Sequence, residues 1–165
     1  MIKEFEFYHG VVFTKLLHYF ENNVSIKKFP TDSNASYVLN DDIGIYIKHS
    51  AKRLSPWRFS FQRNHQDEIL QMKSQLNQVF LILVCGEDGV VTLSYDELKK
   101  ILNEAHEDVE WISAARNRKQ EYKVKGSDGD LEYKVGKSDF PRKIFELNNV
   151  KHEDSSPSQL APMEP

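Results

Sequence analysis

The sequence predicts an α/β (α+β) fold, in which a single mixed β-sheet is flanked by helices and followed by a β-rich C-terminal extension. Apolar residues recur every three or four positions over 3–22, which is typical of an amphipathic helix. Strict alternation over 43–48 and 57–62 indicates short strands, and the continuous apolar run 79–85 is typical of a strand buried on both faces. This mixture of elements favours one sheet with helices packed against it.

The elements of residues 3–95 follow in the order helix, three or four strands, helix, strand, strand. We expect the second helix to begin with Asn64 as its N-cap, since Asp67 stands three residues further on. A third helix should begin at Ser94, because Ser94 and Glu97 have the spacing of a capping box. Strands are expected at 24–29, 36–40, 43–50, 57–62, 78–86 and 90–94.

The character of the chain changes near residue 109. Further strands are expected at 109–115, 119–126 and 130–136, and the dipeptide Asp128-Gly129 predicts a hairpin between the last two. The segment EYKV occurs at 121–124 and again at 132–135, which indicates hairpin symmetry. We therefore divide the chain into an α/β core (1–108), a β-hairpin extension packed on it (109–150) and a disordered tail rich in Pro and Ser (151–165).

Composition narrows the class of protein. The net charge is −3, so only local clustering of cations could favour nucleic acid. The single cysteine, Cys85, excludes an internal disulfide and a Cys-based zinc site, and its apolar neighbours predict a buried structural thiol. The N-terminus lacks the apolar stretch of a signal peptide, and the run 79–85 is too short to span a bilayer. We expect a cytoplasmic protein without a membrane partner.

The strand at 43–48 is the first candidate site. Alternation of side chains places Asp42, Tyr46 and Lys48 on one side and three isoleucines on the other. An acid followed by a lysine on a central strand suits a metal-dependent nuclease, where the acid holds a divalent cation and the lysine positions water or stabilises the developing charge. The alternative is a lysine on the solvent side of an exposed strand.

This order of elements, with Asp42 and Lys48 on one strand, resembles the core of the restriction-endonuclease-like (PD-(D/E)xK) nucleases over roughly residues 5–85. The resemblance implies that Asp42 is the first acid and metal ligand, that Lys48 is the motif lysine, and that an active enzyme would use Mg²⁺. Tyr46 stands where the family has its second acid, and a phenol is a poor magnesium ligand. The resemblance therefore implies a catalytically degenerate relative, or a site completed by Glu4 or Glu6 of the first helix.

Two clusters of cations are the second candidate site. Between Ile43 and Gln66 the chain has no acid, and a hairpin there could lay its cations along a phosphate backbone. A solvated hairpin whose cations pair with acids elsewhere is the alternative. If the clusters share one face, nucleic acid is favoured, and Trp111 and Tyr122 could then stack on bases. The predicted nucleic-acid-binding residues are Lys52, Arg53, Arg58, Arg63, Arg116 and Arg118, with Lys119, Lys123 and Lys125 in the second cluster.

Two classes of function follow. The first is a nucleic-acid-associated protein of nuclease-like fold, catalytically active or degenerate, with DNA or RNA as its partner. The second is a non-enzymatic protein-interaction module, an adaptor or regulatory partner, whose basic loop meets an acidic surface of another protein. The six histidines show no H-x3-H or HExxH spacing, so a zinc site is not predicted.

Overall fold

The structure is a computed structural model, and it describes residues 1–19, 23–105 and 110–146. The helices are α1 (Glu4–Tyr19), α2 (Arg63–Gln75), α3 (Tyr95–Ile101) and a short α4 over 142–146. The expected disordered tail 151–165 lies outside the described residues. The strands are β1 (Ile26–Lys28), β2 (Ser36–Leu39), β3 (Ile43–Ser50), β4 (Trp57–Phe61), β5 (Gln78–Cys85), β6 (Gly89–Ser94), β7 (Glu110–Ala115), β8 (Lys123–Gly126) and β9 (Gly129–Asp130).

The strands form two sheets. The first has the order β1-β2-β3-β5-β6, in which β3 and β5 are parallel and the other neighbours antiparallel. The second is antiparallel throughout, with the order β4-β7-β8-β9. The α+β class is confirmed. The expectation of a single sheet is wrong, because β4 leaves the first sheet and pairs with β7.

The aromatic side of β4 faces the first sheet, although β4 is hydrogen-bonded in the second. Trp57, Phe59 and Phe61 are each 2 % exposed, and Arg58 and Ser60 between them face solvent. The three aromatic rings belong to the same core cluster as Tyr46 of β3 and side chains of β5. Because β4 lies over the first sheet, its aromatic side is buried, as face-to-face packing of sheets requires.

The central strands β3 and β5 are buried on both faces. On one face, the isoleucines of β3 pack against α1 and α4. On the other face, Tyr46 packs against the aromatic residues of β4 and against α2. The interpretation of 43–48 as a strand with one solvated side is therefore wrong, whereas the buried strand predicted at 79–85 is confirmed as β5.

The helix ends follow local side-chain chemistry. Ser94 Oγ accepts a hydrogen bond from the Glu97 backbone amide at 3.2 Å, and Glu97 Oε1 accepts one from the Ser94 backbone amide at 2.9 Å. The predicted capping box is therefore confirmed. The expected N-cap at Asn64 is wrong by two residues. Gln62 takes that position, because its amide donates to His65 Nδ1 at 3.1 Å and closes the first turn of α2.

The predicted C-terminal hairpin is shorter than expected. Gly126 pairs with Gly129 and Lys125 with Asp130, and the pairing ends there. Beyond it, Tyr122 forms an isolated bridge with Val135. None of the described helices is long and apolar enough to cross a membrane.

Candidate functional site

A polar cleft lies beside Lys48, where α1, the β2–β3 region and the start of α2 meet. We call it the Lys48 cleft, and its volume is about 290 Å³. β3 and α2 contribute most of its polar side chains, because Asn64, His65 and Glu68 share one face of the helix. The titratable residues that line it are His9, Tyr46, Lys48, His49, His65 and Glu68.

Lys48 is half-buried at the floor of this cleft. Its Nζ lies 3.3 Å from His65 Nδ1 and 4.6 Å from the centre of the Phe61 ring. Burial lowers the pKa of Lys48 to about 8, since the charged form is poorly solvated there. The alternative of a lysine on the solvent side of an exposed strand is therefore wrong.

His65 has a tautomer that its neighbours define. Its Nδ1 accepts the Gln62 amide, so this nitrogen carries a lone pair and the neutral ring has its proton on Nε2. Lys48 then donates to the same nitrogen. Lys48 and His65 are thus held together as a donor and its acceptor.

Glu68 is the carboxylate of the cleft, and hydroxyl groups surround it. Its Oε1 accepts a hydrogen bond from the Thr31 hydroxyl at 2.9 Å. Its Oε2 accepts hydrogen bonds from the Ser33 hydroxyl at 2.5 Å and from the Ser36 hydroxyl. Tyr46 is 2 % exposed, and burial, followed by the charge of Glu68, raises the pKa of its phenol. Tyr46 is therefore a neutral, buried phenol.

The two histidines near α1 are also engaged. His9 Nδ1 lies 2.8 Å from the Tyr37 hydroxyl. The Tyr37 hydroxyl donates its proton to the Asn34 carbonyl at 2.9 Å, so it can only accept from His9, and His9 Nδ1–H is the donor. Burial, and next the charge of His49, lowers the pKa of His9 to about 4. His49 stacks on Tyr8 with 4.5 Å between ring centres.

The acids proposed to complete a nuclease site do not converge on Lys48. Asp42 precedes β3, six residues before Lys48, which corresponds to about 20 Å along a strand. Glu4 Oε1 binds His49 Nε2 at 2.9 Å, and Glu6 Oε1 accepts the Lys3 amide. Within the described residues, no group of three His, Cys, Asp or Glu side chains could hold a metal ion. The residues present do not fit a magnesium site.

The second candidate is the exposed face of the four-stranded sheet, which we call the basic sheet face. Arg58, Lys123 and Lys125 are exposed there, the half-buried Trp111 lies beside Arg58, and the exposed Asp130 of β9 stands opposite Lys125. Arg58 pairs with Ser113, which pairs with Lys125, so the three residues lie in one cross-strand row. The Arg58 guanidinium carbon lies 4.5 Å from the centre of the Trp111 ring. This face joins one cation of the first cluster to two of the second.

The other predicted cations lie elsewhere. Arg63 is the first residue of α2, and Arg118 lies in the turn between β7 and β8. Lys52 Nζ donates to the Pro56 carbonyl at 2.9 Å. Arg53 lines an apolar cleft beside Phe7 of α1. The two basic clusters are therefore only partly brought onto one face.

Arg116 has a structural partner. Its guanidinium donates to both oxygens of Asp88, at 2.9 and 2.7 Å, and Tyr122 donates to the same carboxylate at 2.5 Å. These bonds, the Arg116 bond first among them, lower the pKa of Asp88 against the opposing effect of burial. The ion pair connects the β5–β6 turn to the end of β7.

Sequence reasoning missed His65 and Glu68 as parts of the site. Both are on α2, and their positions relative to Lys48 depend on how α2 packs on β3. The serine and threonine run at 31–36 was the available signal, because closely spaced hydroxyls can solvate a carboxylate.

Comparison with known protein families, with curated proteins and with solved structures finds no match to this chain.

Proposed function

We propose that the protein binds single-stranded nucleic acid through the basic sheet face and does not cleave it. The observation that carries this proposal is the pairing of β4 with β7 and β8. That pairing puts Arg58, Lys123 and Lys125 on one face of the sheet, where Arg58 lies over the half-buried ring of Trp111. Three cations and an indole on one surface supply both phosphate neutralisation and base stacking.

The spacing of the cations suits a strand running across the sheet. Arg58 and Lys125 are separated by one intervening strand, or about 10 Å between backbones, and Lys123 follows about 7 Å from Lys125 along β8. Their positive field is local, because the whole chain carries a net charge of −3. Binding should therefore be weak at high salt and confined to this face.

The Arg58–Trp111 pair favours an unpaired strand over a duplex. The partly exposed indole of Trp111 offers a stacking surface to any base, and the Arg58 guanidinium over it extends that surface. Bases inside a duplex are already stacked on each other and cannot use such a platform.

The residues around Lys48 support binding without cleavage. Asp42 lies far along β3 from Lys48, and the oxygens of Glu68 accept three hydroxyl groups. A divalent cation needs several oxygen ligands at about 2.0–2.6 Å, which the side chains described beside Lys48 do not provide. The resemblance to the restriction-endonuclease-like fold stays a prediction, and our proposal does not depend on it.

The first test measures the salt dependence of binding to a short single-stranded oligonucleotide between about 50 and 200 mM salt. The variant Arg58→Gln/Lys123→Gln/Lys125→Gln removes three phosphate contacts, so the slope of log K against log salt should fall by about 2. The control Lys3→Gln/Lys15→Gln/Lys28→Gln removes three exposed cations near α1 and in β1, and it should keep the wild-type slope. Equal slopes for both variants would contradict the proposal.

The second test concerns Trp111. Trp111→Leu should weaken single-strand binding by about 1–3 kcal/mol, the contribution of one stacked base, and change duplex binding little. Because Trp57 is buried and Trp111 is partly exposed, quenching of tryptophan fluorescence by bound oligonucleotide reports on Trp111. An oligonucleotide that binds without quenching tryptophan fluorescence would exclude stacking at this face.

A further inference from the structure

Lys48 is a half-buried cation to which the described residues provide no counter-ion. Burial is the cause of its lowered pKa, and no neighbouring carboxylate opposes it. Its contacts are the neutral Nδ1 of His65 and the face of Phe61. A desolvated ammonium group without an anion costs free energy, which an anionic ligand would recover.

The other charged groups of the cleft are already committed. The carboxylate of Glu68 accepts three hydroxyl groups, and Glu4 binds His49. His9 is neutral at pH 7, since its pKa is about 4. The described residues of the cleft therefore offer one cation without a counter-ion, Lys48, in the same cleft as the hydrogen-bonded carboxylate of Glu68.

We propose that the Lys48 cleft binds a small ligand through a phosphate group, with Lys48 as the principal contact. Lysine acts on phosphate as a point charge, whereas planar bidentate recognition of a carboxylate is the speciality of arginine, and no arginine is among the described residues that line the cleft. Asn64 lines the same cleft, and its side-chain amide can donate to a further phosphate oxygen. A volume of about 290 Å³ is at the lower end of the range for small-molecule sites.

This site is separate from the basic sheet face. Lys48 contacts Phe61 on the buried side of β4, whereas Arg58 extends from the opposite side of the same strand. The two sites can therefore be tested independently.

The test uses inorganic phosphate and a nucleoside monophosphate as probes, with chloride at matched ionic strength as the reference. Calorimetric titration and thermal unfolding of the full chain should show saturable binding and a rise in Tm beyond that in chloride. Tighter binding of the monophosphate would identify a nucleotide-like ligand, and equal affinity would identify recognition of phosphate alone. Equal Tm shifts in phosphate and chloride would overturn the proposal.

Lys48→Met is the decisive variant, because methionine is an unbranched side chain only one atom shorter than lysine and carries no charge. We expect phosphate affinity to fall by about tenfold to a hundredfold, the effect of one charge-assisted hydrogen bond. In the absence of phosphate the variant should have a higher Tm than the wild type, because it no longer buries an unpaired cation. This rise also shows that lost binding is not lost folding.

Lys52→Met is the matched control, since Lys52 donates to the Pro56 carbonyl outside the cleft. It should keep wild-type phosphate affinity, as should Arg58→Gln/Lys123→Gln/Lys125→Gln. Phosphate affinity retained by Lys48→Met, or lost in the sheet-face variant, would overturn the assignment of the site to Lys48.

Discussion

His9 is a buried histidine whose charged form is poorly solvated. Its Nδ1–H donates to Tyr37, and the Tyr37 proton continues to the Asn34 carbonyl. Burial and the nearby charge of His49 lower the pKa of His9 from 6.5 to about 4. Between these two values the unfolded chain binds a proton at this residue that the folded chain does not.

We therefore expect acid to destabilise the protein through His9. The free energy of unfolding should decrease as the pH falls from about 6.5 towards 4, because the unfolded state gains protons first. His9→Asn keeps a donor near Tyr37 but cannot be protonated, so the fall in Tm between pH 7 and pH 5 should be smaller than in the wild type. Thermal unfolding followed by circular dichroism measures this.

His18→Asn provides the control, because His18 is exposed on the same helix. His18→Asn should show the same fall in Tm between pH 7 and pH 5 as the wild type. If Tm falls as much in His9→Asn as in the wild type, groups other than His9 cause the acid sensitivity.

At the scale of single residues, side-chain direction was predictable and surroundings were not. Period-two alternation correctly separated Lys48 from the isoleucines of β3. What covers Lys48 depends on α2 and on β4, which pairs with a strand about 50 residues later. No local pattern encodes that pairing, so the sequence alone could not distinguish a solvated lysine from one in a cleft.

At the scale of elements, α3 is tied to α4 by a buried ion pair. Glu97 caps α3 and also accepts Lys143 Nζ at 2.8 Å and the Tyr133 hydroxyl at 2.7 Å. Lys143 donates further to the Thr92 carbonyl at 3.0 Å. Burial would raise the pKa of Glu97, but these hydrogen bonds, with that of Lys143 the largest, lower it.

Removing Glu97 from its ion pair with Lys143 should lower the free energy of unfolding more than removing the N-cap side chain of Ser94. Ser94→Ala should destabilise the protein by about 1 kcal/mol, the usual loss of an N-cap. Glu97→Ala should cost about 3–5 kcal/mol, because it leaves Lys143 largely buried without its anion. Urea unfolding at neutral pH measures both.

The double variant Glu97→Ala/Lys143→Met isolates the contribution of the unpaired charge. It should recover part of the stability lost in Glu97→Ala, since no cation is then stranded. A double variant less stable than Glu97→Ala would show that Lys143 contributes through packing and its bond to Thr92.

The predictability of the elements depended on whether the signal was local. The capping box at Ser94 and the apolar run of β5 are contained in a few residues, and both were confirmed. The repeated EYKV segment misled, because its second copy does not form a strand beyond the bridge at Val135. Packing against buried neighbours determines strand pairing in this region, whereas repetition of a short sequence does not.

At the scale of the whole molecule, one core joins both sheets. Tyr46 and Leu81 of the first sheet and Phe59 and Ile112 of the second belong to the same cluster of buried side chains. That cluster crosses residue 108, where we expected the α/β core to end. The helix and strand order was predictable up to that point, and so was an extension packed on the core, whereas the pairing of β4 with β7 across that point was not.

A chain that ends at residue 105 should therefore fail to fold cooperatively. It lacks β7, the partner of β4, and exposes the aromatic side chains of β4. We expect a broad thermal transition, loss of near-ultraviolet circular dichroism and binding of a hydrophobic dye. A chain that ends at residue 150 keeps every described element and should unfold cooperatively, so a sharp transition in the shorter chain would contradict this prediction.

The pairing of β4 with β7 also sets an order of events on the ribosome. Trp57 is synthesised 57 residues before its partner Ala114, which at about 5–20 residues per second is a delay of about 3–11 s. During that time three aromatic side chains lack their strand partner, and exposed apolar surface of this kind is what chaperones bind. Slower translation between the codons of β4 and β7 would lengthen this exposure, so synthesis rate should influence the yield of folded protein.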